Sequence, residues 1–172
     1  MNRSVRSGEM VTTAILTALA ILIPLVFTFP PFRITVPPFF TATLMSHVPS
    51  MLAIFIGPFA AVGVGLGSAL GFTWFVSPVV GARALSHALF ALVGNRVWKW
   101  GAPRWVALAA ALPFHAVGEY VAVRAFGGAH QAALFTLVGT AAHHVVDSAI
   151  TLILLAALER GGRVRWFQRA SR

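Results

Sequence analysis

The chain has no cysteine among its 172 residues. Disulfides, thiol catalysis and thiolate metal sites are therefore excluded. Charge is scarce as well: 10% of residues are charged, where soluble domains carry about 25%. Only four residues are acidic. No Gly-x-x-x-x-Gly-Lys-Ser/Thr phosphate loop occurs, which excludes ATP hydrolysis by that route. A His-Glu-x-x-His zinc-protease motif and a Gly-x-Ser-x-Gly nucleophile elbow are also missing. No repeat of three plus three spans is evident, which weakens a self-sufficient inverted-repeat carrier. What is abundant is apolar: 58% of the residues are hydrophobic. The composition is that of an integral membrane protein built as one compact domain. The formal charge of +9 sits at the ends of apolar runs, as topology signals do, and not on a nucleic-acid-binding face.

Apolar runs of about 20 residues are long enough to cross a bilayer as helices. Six are expected, at roughly 10–29, 41–56, 58–75, 82–99, 104–125 and 131–158, with a basic tail over 159–172. Arg3 and Arg6 ahead of the first run resemble a signal peptide, but no small-x-small cleavage site follows, so a retained span is expected. Pro49 is expected to kink the short second helix. Six spans place both termini on one side. Arg3, Arg6, Arg96, Lys99, Arg104, Arg160, Arg163, Arg165, Arg169 and Arg172 fall on that side, and Arg33, Arg83 and Arg124 on the other. The positive-inside rule then puts both termini in the cytoplasm. Trp98, Trp100, Trp105 and Trp166 fit a cytoplasmic interfacial belt.

Against this background three polar pairs stand out: Arg83 with His87, His115 with Glu119, and His143 with Asp147. Each is spaced by four residues, one helical turn, so each pair shares a helix face. An ionisable group inside a span is costly and reads by default as a functional site turned to the protein interior. Three pairs on the fourth, fifth and sixth helices read as the lining of one polar pocket open to the outside. Small residues form a second pattern. Gly63, Gly67 and Gly71 repeat every four residues on the third helix and predict close helix packing. Ala14 and Ala18 repeat likewise on the first helix, as internal packing or as a docking face.

The chain resembles the substrate-binding S components of energy-coupling factor vitamin transporters. The resemblance rests on length, six spans, the Ala14-x-x-x-Ala18 face and local segments. These are Ser46-His47-Val48-Pro49, Phe55-Ile56-Gly57-Pro58-Phe59, Gly65-Leu66-Gly67-Ser68-Ala69-Leu70-Gly71-Phe72 and Arg83-Ala84-Leu85-Ser86-His87-Ala88-Leu89-Phe90-Ala91. They resemble the niacin-type branch. The resemblance implies an all-α bundle in the plasma membrane, with a vitamin pocket formed by the first external loop and helices four to six. It implies docking through Ala14 and Ala18 onto a membrane scaffold subunit driven by two cytoplasmic ATPases. It implies no cofactor and no enzyme activity of the chain itself.

The expected substrate-binding residues are Arg83, His87, Glu119, His143, Asp147, Trp74, Phe39 and Tyr120. Arg83 can hold a carboxylate bidentately, or snorkel to lipid headgroups. His87 can bond a ring nitrogen or a carboxylate, or be satisfied by a neighbouring helix. Glu119 binds ligand or neutralises Arg83 or Arg124. Asp147 can fix the tautomer of His143, or both can belong to a structural network. His144 points about 100° from His143, so at most one of them is expected to face the cavity. Trp74, Phe39 and Phe40 can stack on a flat ligand or anchor the membrane interface. His47 reads as structural, within the expected kink. No metal site is assigned, because no strong ligand motif stands in the sequence. Two other functions remain open: a carrier or enzyme that binds metal through His and carboxylate groups, and a proton-coupled carrier using Glu119 and Asp147 as relays.

Overall fold

The computed structural model describes residues 3–37 and 40–161, with side chains placed from Ser7 onward. Phe39 and the basic tail beyond Gly161, including Trp166, lie outside the described residues. The chain begins with helix α1 (Arg3–Val26), followed by strands β1 (Arg33–Val36) and β2 (Phe40–Thr43). The two strands form an antiparallel hairpin, with Arg33 opposite Thr43 and Val36 opposite Phe40. The Pro24 carbonyl lies in the last turn of α1, where helix carbonyls lack partners within the helix. The Arg33 guanidinium bonds that carbonyl and also reaches Thr43 Oγ1 at 3.3 Å. One arginine thus caps a helix and staples the hairpin to it.

The expected second span is largely absent. Helix α2 covers only Val48–Ile54. At 1.5 Å per residue it is about 10 Å long, a third of a hydrocarbon core. The first part of that apolar run is spent on β2 and on a turn at Met45, which adopts a left-handed φ of 65°. Pro49 sits in the first turn of α2, where a missing N–H costs nothing, so it starts the helix and does not kink it. All seven residues of α2 are buried. Asn95 Nδ2 donates to the Ile54 carbonyl at 2.6 Å, which satisfies the far end of this buried helix.

Helix α3 (Pro58–Phe75) leads into α4 (Pro78–Ala84) and α5 (Ser86–Lys99). The chain was expected to run as one helix from about residue 82. It starts earlier, capped by Ser77 Oγ accepting from Val80 N at 3.3 Å, and breaks at Leu85. Helices α6 (Arg104–Ala125) and α7 (His130–Arg160) complete the bundle. Among the described residues, α1 from Ser7, α3, α6 and α7 are long and apolar enough to cross a membrane. The protein is a mostly helical, multi-pass membrane protein.

The apolar core surrounds α2: Met51, Ile54 and Phe55 meet Val64, Phe90, Leu108 and Leu155. Many large apolar side chains point outward instead, among them Leu70, Val138 and Ile153, as a lipid-facing surface requires. The glycine stripe of α3 faces α1. A Cβ on Gly67 would meet Thr17 Cγ2 at 2.6 Å, and one on Gly71 would meet the Ile21 carbonyl oxygen at 2.6 Å. Gly65 packs likewise on the backbone of Ala88 in α5. At the end opposite the hairpin, Arg104 pairs with Glu159 and ties the start of α6 to the end of α7.

Candidate functional site

Polar groups from the hairpin, the turn before α2 and helices α3 to α7 meet inside the bundle. Arg83 comes from the end of α4 and is 3% exposed. Its Nε donates to Glu119 Oε2 at 2.9 Å and its Nη2 donates to the same oxygen at 2.5 Å. Thr140 Oγ1 of α7 adds a third bond to that oxygen at 2.6 Å. Arg83 Nη2 also donates to the Thr41 carbonyl of β2 at 3.3 Å. A buried charge needs a partner and further hydrogen bonds to offset its desolvation, and this pair has both. Of the two roles open to Glu119, neutralising Arg83 is the one visible here. Arg124 is exposed and bonds the Gly128 carbonyl at 2.7 Å.

Five histidines surround this pair. His47, in the turn before α2, is the hub. Its ring lies edge-on to His87, His115 and His143, with centroids 4.8, 4.3 and 4.5 Å away. The reading of His47 as a residue of a helical kink is thus corrected: the turn at Met45 swings it into the centre. His87 Nδ1 lies 2.8 Å from Ser68 Oγ on α3. The break at Leu85 separates Arg83 from His87, yet both reach the cluster.

His115 and His144 share one hydrogen bond, Nδ1 to Nδ1, at 2.9 Å. His144 Nε2 lies 3.0 Å from the Leu108 carbonyl. Neither His143 nor His144 lines the small cavity beside Arg83, in keeping with at most one of them facing it. Both are engaged, because the cluster wraps around α7. His143 meets Asp147 and His47 on one side, and His144 meets His115 on α6 on the other.

Asp147 is fully buried and binds backbone. Its two oxygens accept from Met45 N at 3.0 Å and His47 N at 3.1 Å. It therefore pins the turn that presents His47. His143 Nε2 lies 3.4 Å from Asp147 Oδ2 without hydrogen-bond alignment, so the expected tautomer lock is not made by this pair.

A small cavity adjoins Arg83, His87, His47 and Glu119 and is bounded by Thr41, Thr43, Ser46 and Phe72. Its volume of about 20 Å³ suits one water molecule. Phe40 of the hairpin packs against the cavity's arginine, with the Arg83 guanidinium 5.7 Å from its ring centre and Phe135 packed edge-on at 5.3 Å. Of the expected contributors, His143 and Asp147 belong to the cluster but do not line this cavity, and two more lie away from both. Trp74 is 85% exposed on the outer face of α3. Tyr120 bonds His130 at 2.9 Å at the exposed rim, because it sits one position beyond Glu119 and so off the inward face. Thr140, Ser68 and the central role of His47 are not marked by the sequence. Hydroxyls are common in membrane helices, and nothing local distinguishes these two.

The chain is 38% identical over 92 residues to the niacin transporter NiaX of Lactococcus lactis subsp. cremoris. That stretch covers 53% of this chain and 40% of the relative, so the chain spans less than half of the curated protein it matches. The similarity to a niacin-type transporter noted from the sequence holds over that stretch. No protein-family model matches the chain, and no solved structure matches it.

Proposed function

We propose that this chain is the membrane-embedded, substrate-binding S component of an energy-coupling factor importer, and that it captures niacin or a related pyridine carboxylate from outside. The observation that carries this reading is the similarity to a niacin transporter over about half the chain. The site chemistry agrees with it. A planar guanidinium is suited to a carboxylate, and aromatic faces suit a flat ring. Arg83 and Phe72 offer both around one cavity, and the Phe40 ring lies against Arg83.

A cavity that holds one water does not hold a pyridine ring, so the closed form described here must open to load. The hairpin is the element to move. It is held over the site by the Thr41 carbonyl on Arg83 and by Asp147 on the backbone of Met45 and His47. Lifting it would uncover Arg83, Glu119 and His87 together. Such lid motions gate binding sites without altering the rest of a fold.

In this reading the hairpin faces outside and both termini lie in the cytoplasm. Six passages follow if α2 with its flanking turns and the broken α4–α5 pair each cross as one. Arg33 and Arg124 then lie at the outer end, and Arg96, Lys99, Arg104 and Arg160 at the inner one, which accords with the positive-inside rule. Energy comes from two ATPase subunits on separate chains, through a membrane scaffold subunit. Ala14 and Ala18 are exposed on α1, while Thr13 and Leu16 turn inward, so the small-residue face is available for docking. Glu119 and Asp147 are each held by several donors, which argues against their acting as mobile proton relays.

Thermal melting of the purified chain against a vitamin panel tests the reading. A ligand at 100 times its Kd stabilises by about 2.7 kcal/mol, so nicotinate is expected to raise the melting temperature where thiamine, riboflavin and biotin do not. A panel in which nothing shifts the melting of folded protein overturns it. For the docking face, Ala14→Trp is expected to abolish uptake in cells carrying the full importer and to leave nicotinate binding intact. Lost binding with normal assembly would reverse that assignment.

A further inference from the structure

The histidine cluster carries more than a vitamin pocket requires. His47, His87, His115 and Glu119 each offer a donor atom, and these four atoms lie within 4.8 Å of one another. All four residues are buried. They come from the turn before α2, from α5 and from α6, so no local sequence motif announces them.

The hydrogen bonds fix which ring nitrogens are available. A carbonyl only accepts, so His144 Nε2 must carry the proton it donates to Leu108. In a neutral ring Nδ1 of His144 is then a lone pair, and it accepts from Nδ1 of His115. His115 is left with a bare Nε2. That atom is buried, has no hydrogen-bond partner, and lies 3.3 Å from Glu119 Oε1. On Glu119 the hydrogen bonds from Arg83 and Thr140 all go to Oε2. Two lone-pair atoms therefore face each other across 3.3 Å, an arrangement that repels unless a cation joins them. The other two rings are oriented in the same way. Nδ1 of His87 is engaged by Ser68, and Nδ1 of His47 lies 3.0 Å from Asp147 Oδ2, though off-line for a hydrogen bond. His87 and His115 thus have Nδ1 engaged by a partner and Nε2 left to give, and His47 has Nδ1 turned toward the Asp147 carboxylate. Metal-ligating histidines are commonly oriented in this way, with the second nitrogen held by an outer carboxylate, hydroxyl or carbonyl.

We propose that His47, His87, His115 and Glu119 Oε1 form a binding site for a divalent transition-metal ion of the zinc type. Three imidazoles and one carboxylate are a ligand set that Zn²⁺, Co²⁺ and Ni²⁺ accept, and one that Mg²⁺ and Ca²⁺ do not favour. With metal–ligand bonds of about 2.0–2.1 Å, a tetrahedral ion draws its ligand atoms to about 3.3 Å apart, so atoms that now lie within 4.8 Å of one another would close in around it. His144, Ser68 and Asp147 are positioning residues that aim the ligating rings. The site does not depend on the transport reading, since the ion would bind whether or not niacin does.

The test uses the full chain, purified without a polyhistidine tag and stripped by a chelator. After dialysis against micromolar Zn²⁺ or Co²⁺, elemental analysis is expected to give one ion per chain, and Co²⁺ is expected to show the intense visible bands of a tetrahedral site. His115→Gln is expected to abolish stoichiometric binding. His144→Gln removes only a positioning bond and is expected to weaken binding about 10–100-fold. His130→Gln, at the exposed rim, is expected to change nothing. Should the buried variants fail to fold, the wild-type measurements still decide. Substoichiometric metal in folded wild-type protein, or only the weak bands of octahedral Co²⁺, would overturn the proposal. So would binding that survives His115→Gln and disappears in His130→Gln. An imidazolium of His115 resting on Glu119 is the outcome in which no metal binds and this nitrogen carries a proton by NMR.

Discussion

The two sides of the bundle are held together by different physics. On the α1–α3 side the contact is close packing on glycine, with Gly71 against the Ile21 backbone and Gly67 against the Thr17 side chain, where an added Cβ would collide. On the α4–α6–α7 side the contact is ionic and hydrogen-bonded, centred on Glu119 with Arg83 and Thr140. In lipid there is no hydrophobic drive between helices, so packing and polar bonds are the available glues. A glycine seam costs little and carries no chemistry. A buried ion pair costs several kcal/mol of desolvation per ion before its own bonds offset that, and it is weak evidence for stability alone. Among the described residues the buried Arg83–Glu119 pair and its histidines lie on one side of the bundle, and that is where a site is expected.

Mutations can break this comparison. The largest effect is expected from Glu119→Ala, which leaves Arg83 buried without its counter-charge. Breaking such a pair costs about 3–5 kcal/mol, read as a lower unfolding midpoint in detergent. Thr140→Val removes one hydrogen bond to a charged oxygen and is expected to cost about 1.5–3 kcal/mol in the same assay. Gly71→Leu overpacks the seam and is expected to cost about 1–3 kcal/mol while leaving ligand and metal binding unchanged. Trp74→Ala, on the lipid-facing side, is expected to stay within about 0.5 kcal/mol of wild type. Equal losses of binding in Gly71→Leu and Thr140→Val would erase the distinction between the two sides.

Much of this was legible in the chain, and the illegible parts share a cause. The apolar runs that became α1, α3, α6 and α7 read as membrane helices from length and composition alone. The i,i+4 spacing of His115 with Glu119 put both on one face of α6, and both are buried in the cluster. The second helix misled because hydropathy does not distinguish a span from a short strand, a turn and seven helical residues in succession. The hairpin was hidden for the same reason, between prolines that read as loop. His47 was undervalued because its importance lies in partners on α5, α6 and α7, and no local pattern encodes them. Trp74 was overvalued because an aromatic at a helix end looks alike whether it faces ligand or lipid.

The claim on which the rest depends is that the buried polar cluster is a ligand site and not only a structural one. Calorimetric titration of nicotinate into the purified wild-type chain, alongside Arg83→Gln, tests it most directly. A wild-type Kd below about 1 μM, equivalent to about −8.2 kcal/mol, is expected, with loss of binding in a folded Arg83→Gln variant. Folded wild-type protein that gives no binding heat up to millimolar nicotinate, or an Arg83→Gln variant that binds as tightly as wild type, would contradict it.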